Sequence, residues 1–461
     1  MYRLTRPPQF IKVSAHFRLV VCERNSIAEQ VRNYMTYSEL LLHHIHSWSL
    51  QTEFVPKHVR RYLKFNEKFK FPPKKLSSSD LNSLTSRVEV LNYERQVQHV
   101  QRYGLVRADV TMLVVQVSRD AERLQYLIVS LSQVHYIQSV LLVFSHSYYD
   151  EKINKLVQSI TFARVLQIFY PYSLQLYPNK FPGVDVEDCA SAAGATDKYC
   201  SNRDARRVEH KHHWWWKACF IFNNLDWSDS YTGTVLFLEE DNYVLPDLLY
   251  MLRYTSRAQT YIPGIYIMAF GRPFAKNLDY DLLTVDSWHP PFDIGIAFNK
   301  SVWQRISTVS SYYCMYDDVS WSYSMLNLFS RFREGQAGMV ATQAPRVLST
   351  SMFPSGRIAV QKIYGWIKEA RMFPANVKAV ALYSSTGRVG NSPKLPPQGN
   401  GGWSDMRDHL LCLDPLMSTT TGAMNELTAT TIVPTTTTEA QFLTMAEHSI
   451  NISDVEIRQL L

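Results

Sequence analysis

Apolar residues between positions 110 and 178 form short continuous runs that alternate with amphipathic stretches. The runs "VTMLVVQV" (110–117), "SVLLVFSH" (139–146) and the start of "ARVLQIFYPYSLQLYP" (163–178) have the length of interior strands. The stretches "RDAERLQYLIVSLSQV" and "YDEKINKLVQSI", which follow the first two runs, show the i, i+3, i+4 apolar spacing of helices. This alternation predicts βαβ units on a parallel sheet, in which ligands bind beyond the carboxyl ends of the strands.

The pattern changes in the segment that follows. "CASAAGATDKYCSNRDARRVEHK" (189–211) has no strong periodicity and is predicted to be a loop, whereas "HHWWWKACFIFNNL" (212–225) predicts a helix. The apolar run at 235–238 predicts a further strand. "GIYIMAF" (264–270) and "DIGIAFNKSVWQRI" (293–306) predict two more strands, the second leading into a helix.

Both ends of the chain differ from this central region. Residues 1–108 mix short amphipathic pieces with Ser- and Lys-rich turns, so we predict a basic N-terminal arm followed by peripheral helices. Residues 418–438 contain ten threonines and no apolar period, which predicts a Thr-rich, largely disordered tail over 416–461. Between these segments we predict one α/β domain at 109–415.

The charge of the chain is concentrated near its N-terminus. The formal net charge is +7, and residues 1–75 hold fourteen Lys and Arg against five acids. Because no nucleic-acid-binding motif accompanies this excess, it indicates a solvated arm or a surface for acidic lipid, and no nucleic-acid partner is predicted. No run of about 18 apolar residues occurs and the N-terminus is too polar for a signal peptide, so the residues alone predict a soluble cytosolic protein.

The segment "TVLFLEEDNYVLPDLLYML" (234–252) ends an apolar strand in three consecutive carboxylates, Glu239, Glu240 and Asp241. Side chains alternate along a strand, so at most two of the three converge, and Glu239 with Asp241 is the expected pair. Such oxygen ligands suit Mg²⁺ or Mn²⁺, which commonly keeps positions for substrate phosphates, and this indicates nucleotide-sugar transfer. The alternative is that the acids cap the following helix.

The segment "EHKHHWWWKACF" (209–220) contains three consecutive tryptophans, which point in three directions on a helix and are not all expected in the core. Hydrogen-bond donors for a diphosphate surround them: His210, Lys211, His212, His213 and Lys217. The alternative is an aromatic wedge between sheet and loop, with ordinary hydrogen-bonded histidines.

A third candidate is "CMYDDVSWSYS" (314–324), where Asp317 and Asp318 lie close to Trp321. An acid near an aromatic ring is typical of sugar sites, and a transfer that inverts the anomeric centre needs one carboxylate as general base on the acceptor hydroxyl. Asp318 and Asp317 are therefore the catalytic candidates. The alternative is that both are solvated loop residues.

Cys189 and Cys200 lie eleven residues apart in a polar loop, a spacing that predicts a disulfide. The chain has six cysteines and no CxxC pair, so a zinc site is not predicted.

Five blocks together resemble one known family. "VLQIFYPYSLQLYPNKFPG", "KHHWWWK", "LFLEEDNYVLPD", "YDDVSW" and "NGGWSDMRDHLLC" occur in this order and are similar to the α-1,6-mannosyl-glycoprotein 2-β-N-acetylglucosaminyltransferases, the N-acetylglucosaminyltransferase II family, over about 110–413. The resemblance implies a GT-A-like fold with a mostly parallel central sheet flanked by helices. It also implies Mn²⁺, UDP-N-acetylglucosamine as donor, β-1,2 transfer to the α-1,6-arm mannose of an N-glycan acceptor, and a place on the lumenal side of the Golgi membrane.

The resemblance also implies residue roles. Asp241 matches a metal ligand, with Glu239 beside it, and Trp321 and Asp293 fall on acceptor-contacting positions. The disulfides implied are Cys189–Cys200 and Cys314–Cys412. The positions that fall on nucleotide-sugar-binding segments are Gln116, Val117, Ser118, Arg119, Asp120, Ser147, Glu209, His210, Lys211, His212 and His213.

The chain departs from the family at several of these positions. Ser322 stands where the catalytic Asp is expected, Ser349 where a metal-binding His is expected, and Asp293 where an Asn is expected. Ser147 replaces a uracil-contacting Asp, and residues 118–121 replace His-Asn-Arg-Pro. Two functions therefore stay open. One is an inverting N-acetylglucosaminyltransferase that uses Asp318 as base, and the other is a catalytically impaired relative that binds nucleotide, glycan or a partner enzyme.

Overall fold

A computed structural model gives the structure of the protein for residues 10–14, 17–22, 55–65, 76–185, 203–272, 278–332, 337–382 and 399–416. These residues all belong to one compact unit, Met1–Leu416. The strands are β1 (Phe10–Ser14), β2 (Phe17–Cys22), β3 (Met112–Val117), β4 (Leu141–His146), β5 (Arg164–Phe169), β6 (Thr234–Glu239), β7 (Asn242–Val244), β8 (Ile265–Ala269), β9 (Leu282–Ser287), β10 (Ile296–Asn299), β11 (Gly338–Thr342), β12 (Val347–Ser349) and β13 (Lys378–Leu382).

The α-helices surround these strands. They are α1 (Ser78–Glu94), α2 (Val100–Tyr103), α3 (Ala121–Leu131), α4 (Glu151–Gln158), α5 (Ala205–Cys219), α6 (Leu248–Tyr261), α7 (Lys300–Thr308), α8 (Ser311–Cys314), α9 (Trp321–Phe329), α10 (Gly356–Ile367) and α11 (Met406–Leu413). A 3₁₀ helix spans Lys57–Tyr62. Helix α5 continues into a π-helical turn at Phe220–Asn224.

Eleven strands form one central sheet in the order β1-β2-β13-β9-β11-β8-β10-β6-β3-β4-β5, and β12 pairs with β7 in a second, small sheet. Among the described strands, six of the ten neighbouring pairs in the central sheet are parallel. Helices α3 and α5 flank the sheet. The α/β class with a mostly parallel, helix-flanked sheet is therefore confirmed.

The predicted strands at 110–117, 139–146 and after 163 are β3, β4 and β5, which lie side by side in parallel. Every residue of β3 and β4 is buried, which explains their continuous apolar sequences, since a parallel strand is covered on both faces. Strand β6 pairs with the other edge of β3, and Gln116 lies opposite Glu239. The three consecutive carboxylates at 239–241 therefore lie beside the carboxyl end of β3.

Two local predictions are wrong. Residues 205–211, predicted as loop, belong to α5, because the Asp204 side chain accepts a hydrogen bond from the Arg206 N–H and starts the helix early. The N-terminal segment, predicted to hold only an arm and helices, contributes β1 and β2, and β2 pairs in parallel with β13. Within the predicted tail, residues 417–461 lie outside the described residues.

A disulfide joins Cys314 of α8 to Cys412 of α11, the second pair that the family resemblance implies. The other pair, Cys189 and Cys200, lies outside the described residues. Among the helices of the described ranges, none has the length and apolar character needed to cross a bilayer.

Candidate active site

Two cavities lie where β3 and β6 end. The first, which we call the acidic cavity, has a volume of about 340 Å³ and is lined by three carboxylates, Glu239, Asp241 and Asp293. The second, which we call the β3 cavity, has a volume of about 780 Å³ and is lined mainly by the loop after β3 and by α5. His210 lines both, so the two cavities adjoin.

Most of the predicted nucleotide-sugar-binding residues line the β3 cavity. These are Gln116, Ser118, Arg119, Asp120, Ser147, Glu209, His210 and His213. The cavity also holds polar residues that the sequence analysis missed, namely Glu122, Arg123, Arg206, Glu240 and Ser355. Helical spacing is the signal that points to Arg206. It lies three residues before Glu209 and four before His210, so all three share one face of α5.

Lys211 and His212 were predicted to bind the nucleotide sugar, and this is wrong. The Lys211 Nζ donates to the carbonyls of Tyr316 at 3.3 Å and Asp318 at 2.9 Å, and it lies 3.7 Å from the ring centre of Trp403. Consecutive helical residues are about 100° apart, so these two leave the face that carries His210 and His213. They join a group that we call the buried ion cluster: Arg203, Lys211, His212, Asp318 and Asp408.

Val117, which was predicted to contact the nucleotide sugar, does not line the β3 cavity. Its side chain is fully buried in the core, because it points into the apolar layer beside β3. Its carbonyl accepts a hydrogen bond from the Ser147 N–H at 2.8 Å, so it positions the cavity residue Ser147 through the backbone.

The expectation that the three tryptophans are not all in the core is wrong as well, since Trp214, Trp215 and Trp216 are each at most 3% exposed. Every residue of α5 from Lys211 to Cys219 is buried. Trp214 stacks flat on Trp321 with ring centres 4.4 Å apart, and Trp215 stacks on Tyr313 at 4.3 Å. The aromatic-wedge interpretation therefore describes the tryptophans, while α5 also presents polar residues to the β3 cavity.

Glu240 turns away from the other two acids of the triplet and fixes the loop after β3. Its carboxylate accepts hydrogen bonds from the N–H groups of Ser118 at 2.8 Å and of Arg119 and Asp120 at 3.2 Å. Burial and the nearby Asp120 raise the pKa of Glu240 to about 8, while the three N–H donors act in the opposite direction. The loop that lines the β3 cavity is therefore held by backbone contacts before any ligand binds.

Glu239 is ionised in the acidic cavity. Burial acts to raise its pKa, but His210, Lys217 and the indole N–H of Trp321 lower it to about 2. The His210 Nε2 lies 3.7 Å from the Glu239 carboxylate, which raises the pKa of His210 against the effect of burial. Lys217 donates to the Gln116 side chain at 2.6 Å, and burial lowers the pKa of Lys217 to about 7. Cationic groups therefore lie at the junction of the two cavities.

Asp241 shares the acidic cavity with Glu239, as expected from strand alternation. The Ser349 hydroxyl donates to its Oδ2 at 2.7 Å and the Asn242 amide donates to its Oδ1 at 2.9 Å. Burial and the neighbouring Glu239 raise the pKa of Asp241. Pairing of β12 with β7 brings Ser349 opposite Asn242 and so places it beside Asp241.

Carboxylate and hydroxyl oxygens around Asp241 fit a hard divalent cation that takes further ligands from substrate phosphates. The residues that would hold it are Asp241 and Ser349. In the part of the chain that the structure describes, no three His, Cys, Asp or Glu side chains form a complete metal-binding group. Glu239 is engaged by His210 and Trp321, so Asp241 is the better placed of the two predicted metal ligands.

Asp293 enters the same cavity from the segment before β10. The antiparallel pairing of Ile296 with Phe237 brings this segment beside the end of β6. Gly295 makes the turn, with φ of +63°, and a Cβ there would lie 2.7 Å from a Val347 methyl group. Burial raises the pKa of Asp293, and the nearby Ser322 hydroxyl acts in the opposite direction. Both predicted acceptor-binding residues, Trp321 and Asp293, therefore line the acidic cavity.

Asp317 and Asp318, the predicted catalytic bases, line neither cavity, and this prediction is wrong. Asp318 is 1% exposed, and its carboxylate accepts hydrogen bonds from the Ser320 N–H at 2.8 Å and the Asn400 side chain at 2.7 Å. Asp317 accepts from the Trp403 N–H at 2.8 Å. Both acids therefore fasten the segment at 399–403 to the loop before α9.

Comparison with known proteins points to one family. The family described as N-acetylglucosaminyltransferase II (MGAT2) matches residues 85–412. The chain is 30% identical to the α-1,6-mannosyl-glycoprotein 2-β-N-acetylglucosaminyltransferase of Rattus norvegicus over 368 residues, which cover 72% of this chain and 81% of that protein. The Homo sapiens protein of the same name is 30% identical over 355 residues, covering 71% and 78%.

Among solved structures, S. aureus TarS 1–349 aligns with 56% of this chain and 65% of its own, with 8% identity and a TM-score of 0.29. The assignment to a family depends on the sequence matches.

Proposed function

Because the chain belongs to the N-acetylglucosaminyltransferase II family, we propose that it transfers N-acetylglucosamine from UDP-N-acetylglucosamine to the α-1,6-arm mannose of an N-glycan. It is a GT-A-like glycosyltransferase that resembles the enzymes forming this β-1,2 linkage. We expect the transfer to invert the anomeric centre.

The observation that carries this proposal is the pair of adjoining cavities at the carboxyl ends of β3 and β6. The β3 cavity, at about 780 Å³, has room for a nucleotide, and its arginines are Arg119, Arg123 and Arg206. The acidic cavity holds carboxylates beside the Trp321 ring, which is the chemistry of a sugar site. A donor whose nucleotide occupies the first cavity would present its sugar to the second.

Residues at the junction suit a diphosphate leaving group. His210 lines both cavities and Lys217 lines the acidic cavity, so positive charge lies where the two meet. Such preorganised charge stabilises the negative charge that develops on the leaving group. Trp321, stacked flat on Trp214, gives the sugar a rigid aromatic surface.

We propose Mn²⁺ as the metal, held by Asp241 and Ser349 together with phosphate oxygens of the donor. When bound, the ion would neutralise charge on the diphosphate. Replacement of the expected histidine by Ser349 leaves an all-oxygen protein ligand set, which also suits Mg²⁺.

We also propose that the protein acts on the lumenal side of the Golgi membrane. The Cys314–Cys412 disulfide supports an oxidising compartment. Localisation of the tagged full-length protein by microscopy, with protease protection of its lumenal side, tests this proposal.

The decisive experiment incubates the purified chain with UDP-N-acetylglucosamine, Mn²⁺ and a hybrid N-glycan. We expect a product with one added N-acetylglucosamine on the α-1,6 arm, identified by NMR. Asp241→Ala should abolish the product, whereas Asp229→Ala, a change at a fully exposed acid, should leave it unchanged. Calorimetric binding of UDP without any product would instead favour the non-catalytic alternative.

A further inference from the structure

The acidic cavity contains three carboxylates, and their surroundings differ. Glu239 faces the His210 imidazole, whose Nε2 lies 3.7 Å from its carboxylate, and shares the cavity lining with Lys217 and Trp321. Asp241 accepts from the Ser349 hydroxyl and the Asn242 amide and is the residue placed to hold a cation. Asp293 has the neutral Ser322 hydroxyl as its side-chain neighbour in the cavity.

A general base has to face the substrate and keep an affinity for protons close to that of its working pH. Glu239 is not free to serve as the base, because its carboxylate already pairs with the His210 Nε2 at 3.7 Å. Asp317 and Asp318 fail the first, because their carboxylates are hydrogen-bonded to the segment at 399–403. Glu209 and Glu240 line the β3 cavity, away from Trp321.

Asp293 meets both conditions. It lines the cavity together with Trp321 and Asp241, so an acceptor sugar on the Trp321 ring would lie beside it. Burial raises its pKa, and the ionised Glu239 adds to this effect. Ser322 lines the same cavity from the first turn of α9, where its hydroxyl contacts that of the N-cap residue Ser320 at 3.0 Å.

We propose that Asp293 is the general base of the transfer, an assignment that rests on the function proposed above. The acceptor hydroxyl oxygen attacks the anomeric carbon of the donor sugar, and its proton passes to the Asp293 carboxylate. The bond from that carbon to the diphosphate oxygen breaks, and the nucleoside diphosphate leaves with the electron pair. Ser322 is a positioning residue that keeps the carboxylate directed at the hydroxyl.

The test compares the full chain with Asp293→Asn, which keeps the shape of the side chain and removes the base. We expect kcat to fall by about 10²–10⁴-fold, while the thermal midpoint and the calorimetric affinity for UDP stay at their wild-type values. The matched control is Asp229→Asn, because that side chain is fully exposed. Asp293→Asn with Ser322→Asp returns a carboxylate to the neighbouring side chain in the acidic cavity and should raise kcat at least tenfold above that of Asp293→Asn.

An Asp293→Asn variant with wild-type kcat would overturn the assignment while leaving the proposed function intact. A variant that loses UDP binding or thermal stability along with kcat would also overturn it, since this result shows a structural role. A wild-type chain that binds UDP but transfers nothing would contradict the proposed function itself, and the base assignment with it.

Discussion

Two groups of charged residues lie on opposite sides of helix α5, and they differ in what surrounds their carboxylates. In the buried ion cluster, Asp408 accepts from Arg203 at 2.7 Å and from His212 at 3.0 Å, and its side chain is fully buried. In the acidic cavity, Glu239, Asp241 and Asp293 face an open volume of about 340 Å³. The same residue types therefore serve structure on one side of the helix and chemistry on the other.

The comparison teaches that acidic clusters are distinguished by their partners. A carboxylate whose hydrogen bonds are all made within the protein stabilises the fold and has nothing to offer a substrate. A carboxylate beside a cavity, with its pKa raised by burial as in Asp241 and Asp293, retains affinity for a cation or a proton. Each prediction below changes one of the two groups or its surroundings and measures stability, transfer or both.

The largest expected effect on stability comes from removing the disulfide between α8 and α11. Cys314→Ser together with Cys412→Ser opens a loop with a sequence separation of 98 residues. The chain-entropy model gives a loss of about 4.7 kcal/mol for a loop of this size. Urea unfolding measures the change, and wild-type protein treated with a reductant is the control. A double variant as stable as the untreated wild type would contradict this prediction.

The second prediction concerns Asp408. Asp408→Ala leaves Arg203 and His212 buried with no carboxylate, and we expect a loss of about 3–5 kcal/mol in the free energy of unfolding. Asp226→Ala is the matched control, because its pair with Arg95 has an exposed acid and is worth at most about 1 kcal/mol. Equal losses of unfolding free energy in the two variants would show that the buried ion cluster stabilises the fold no more than an exposed ion pair does.

The third prediction changes the acidic cavity. Asp241→Asn removes the carboxylate proposed to hold the metal, and we expect the transfer rate to fall by about 10²–10³-fold, comparable to the loss of one preorganised electrostatic contact. The free energy of unfolding should stay within about 0.5 kcal/mol, since the change removes a charge that Glu239 repels. A variant that keeps its transfer rate but loses stability would show that Asp241 stabilises the fold and takes no part in transfer.

The smallest expected effect is a dependence of stability on pH. The largest influence on Asp408 is burial, which acts to raise its pKa, but His212 and Arg203 outweigh it and lower the pKa to about 2. Its ordinary pKa is about 3.9, so the stabilisation is complete above about pH 4 and is lost as the pH falls towards 2. We expect the ionised Asp408 to contribute about 2–3 kcal/mol to the free energy of unfolding. Unfolding of wild type and Asp408→Asn, followed from pH 7 to 2, should show a difference that shrinks below pH 4.

Much of the fold and part of the site followed from local patterns. Strands β3 to β6 were visible as apolar runs because parallel strands are buried on both faces. The spacing of two residues between Glu239 and Asp241 predicted that they converge, and both line the acidic cavity, with Asp241 just beyond the end of β6.

The remaining features depend on tertiary contacts. Lys211 and His212 have the same chemistry as their neighbours, and their partners come from distant segments. Lys211 donates to the carbonyls of the loop between α8 and α9, and His212 pairs with Asp408 of α11. Asp318 looked catalytic because its hydrogen-bond partner, Asn400, lies 82 residues away in sequence. Asp293, in the segment before β10, and Ser322, in α9, line the same cavity, and no local pattern predicts this.

The most direct measurement is a crystal structure of the chain with UDP and Mn²⁺, with the metal located by its anomalous scattering. The account predicts a manganese peak bonded to the Asp241 carboxylate and the UDP phosphates, with uridine in the β3 cavity. A peak at another position, with the nucleotide outside both cavities, would contradict it.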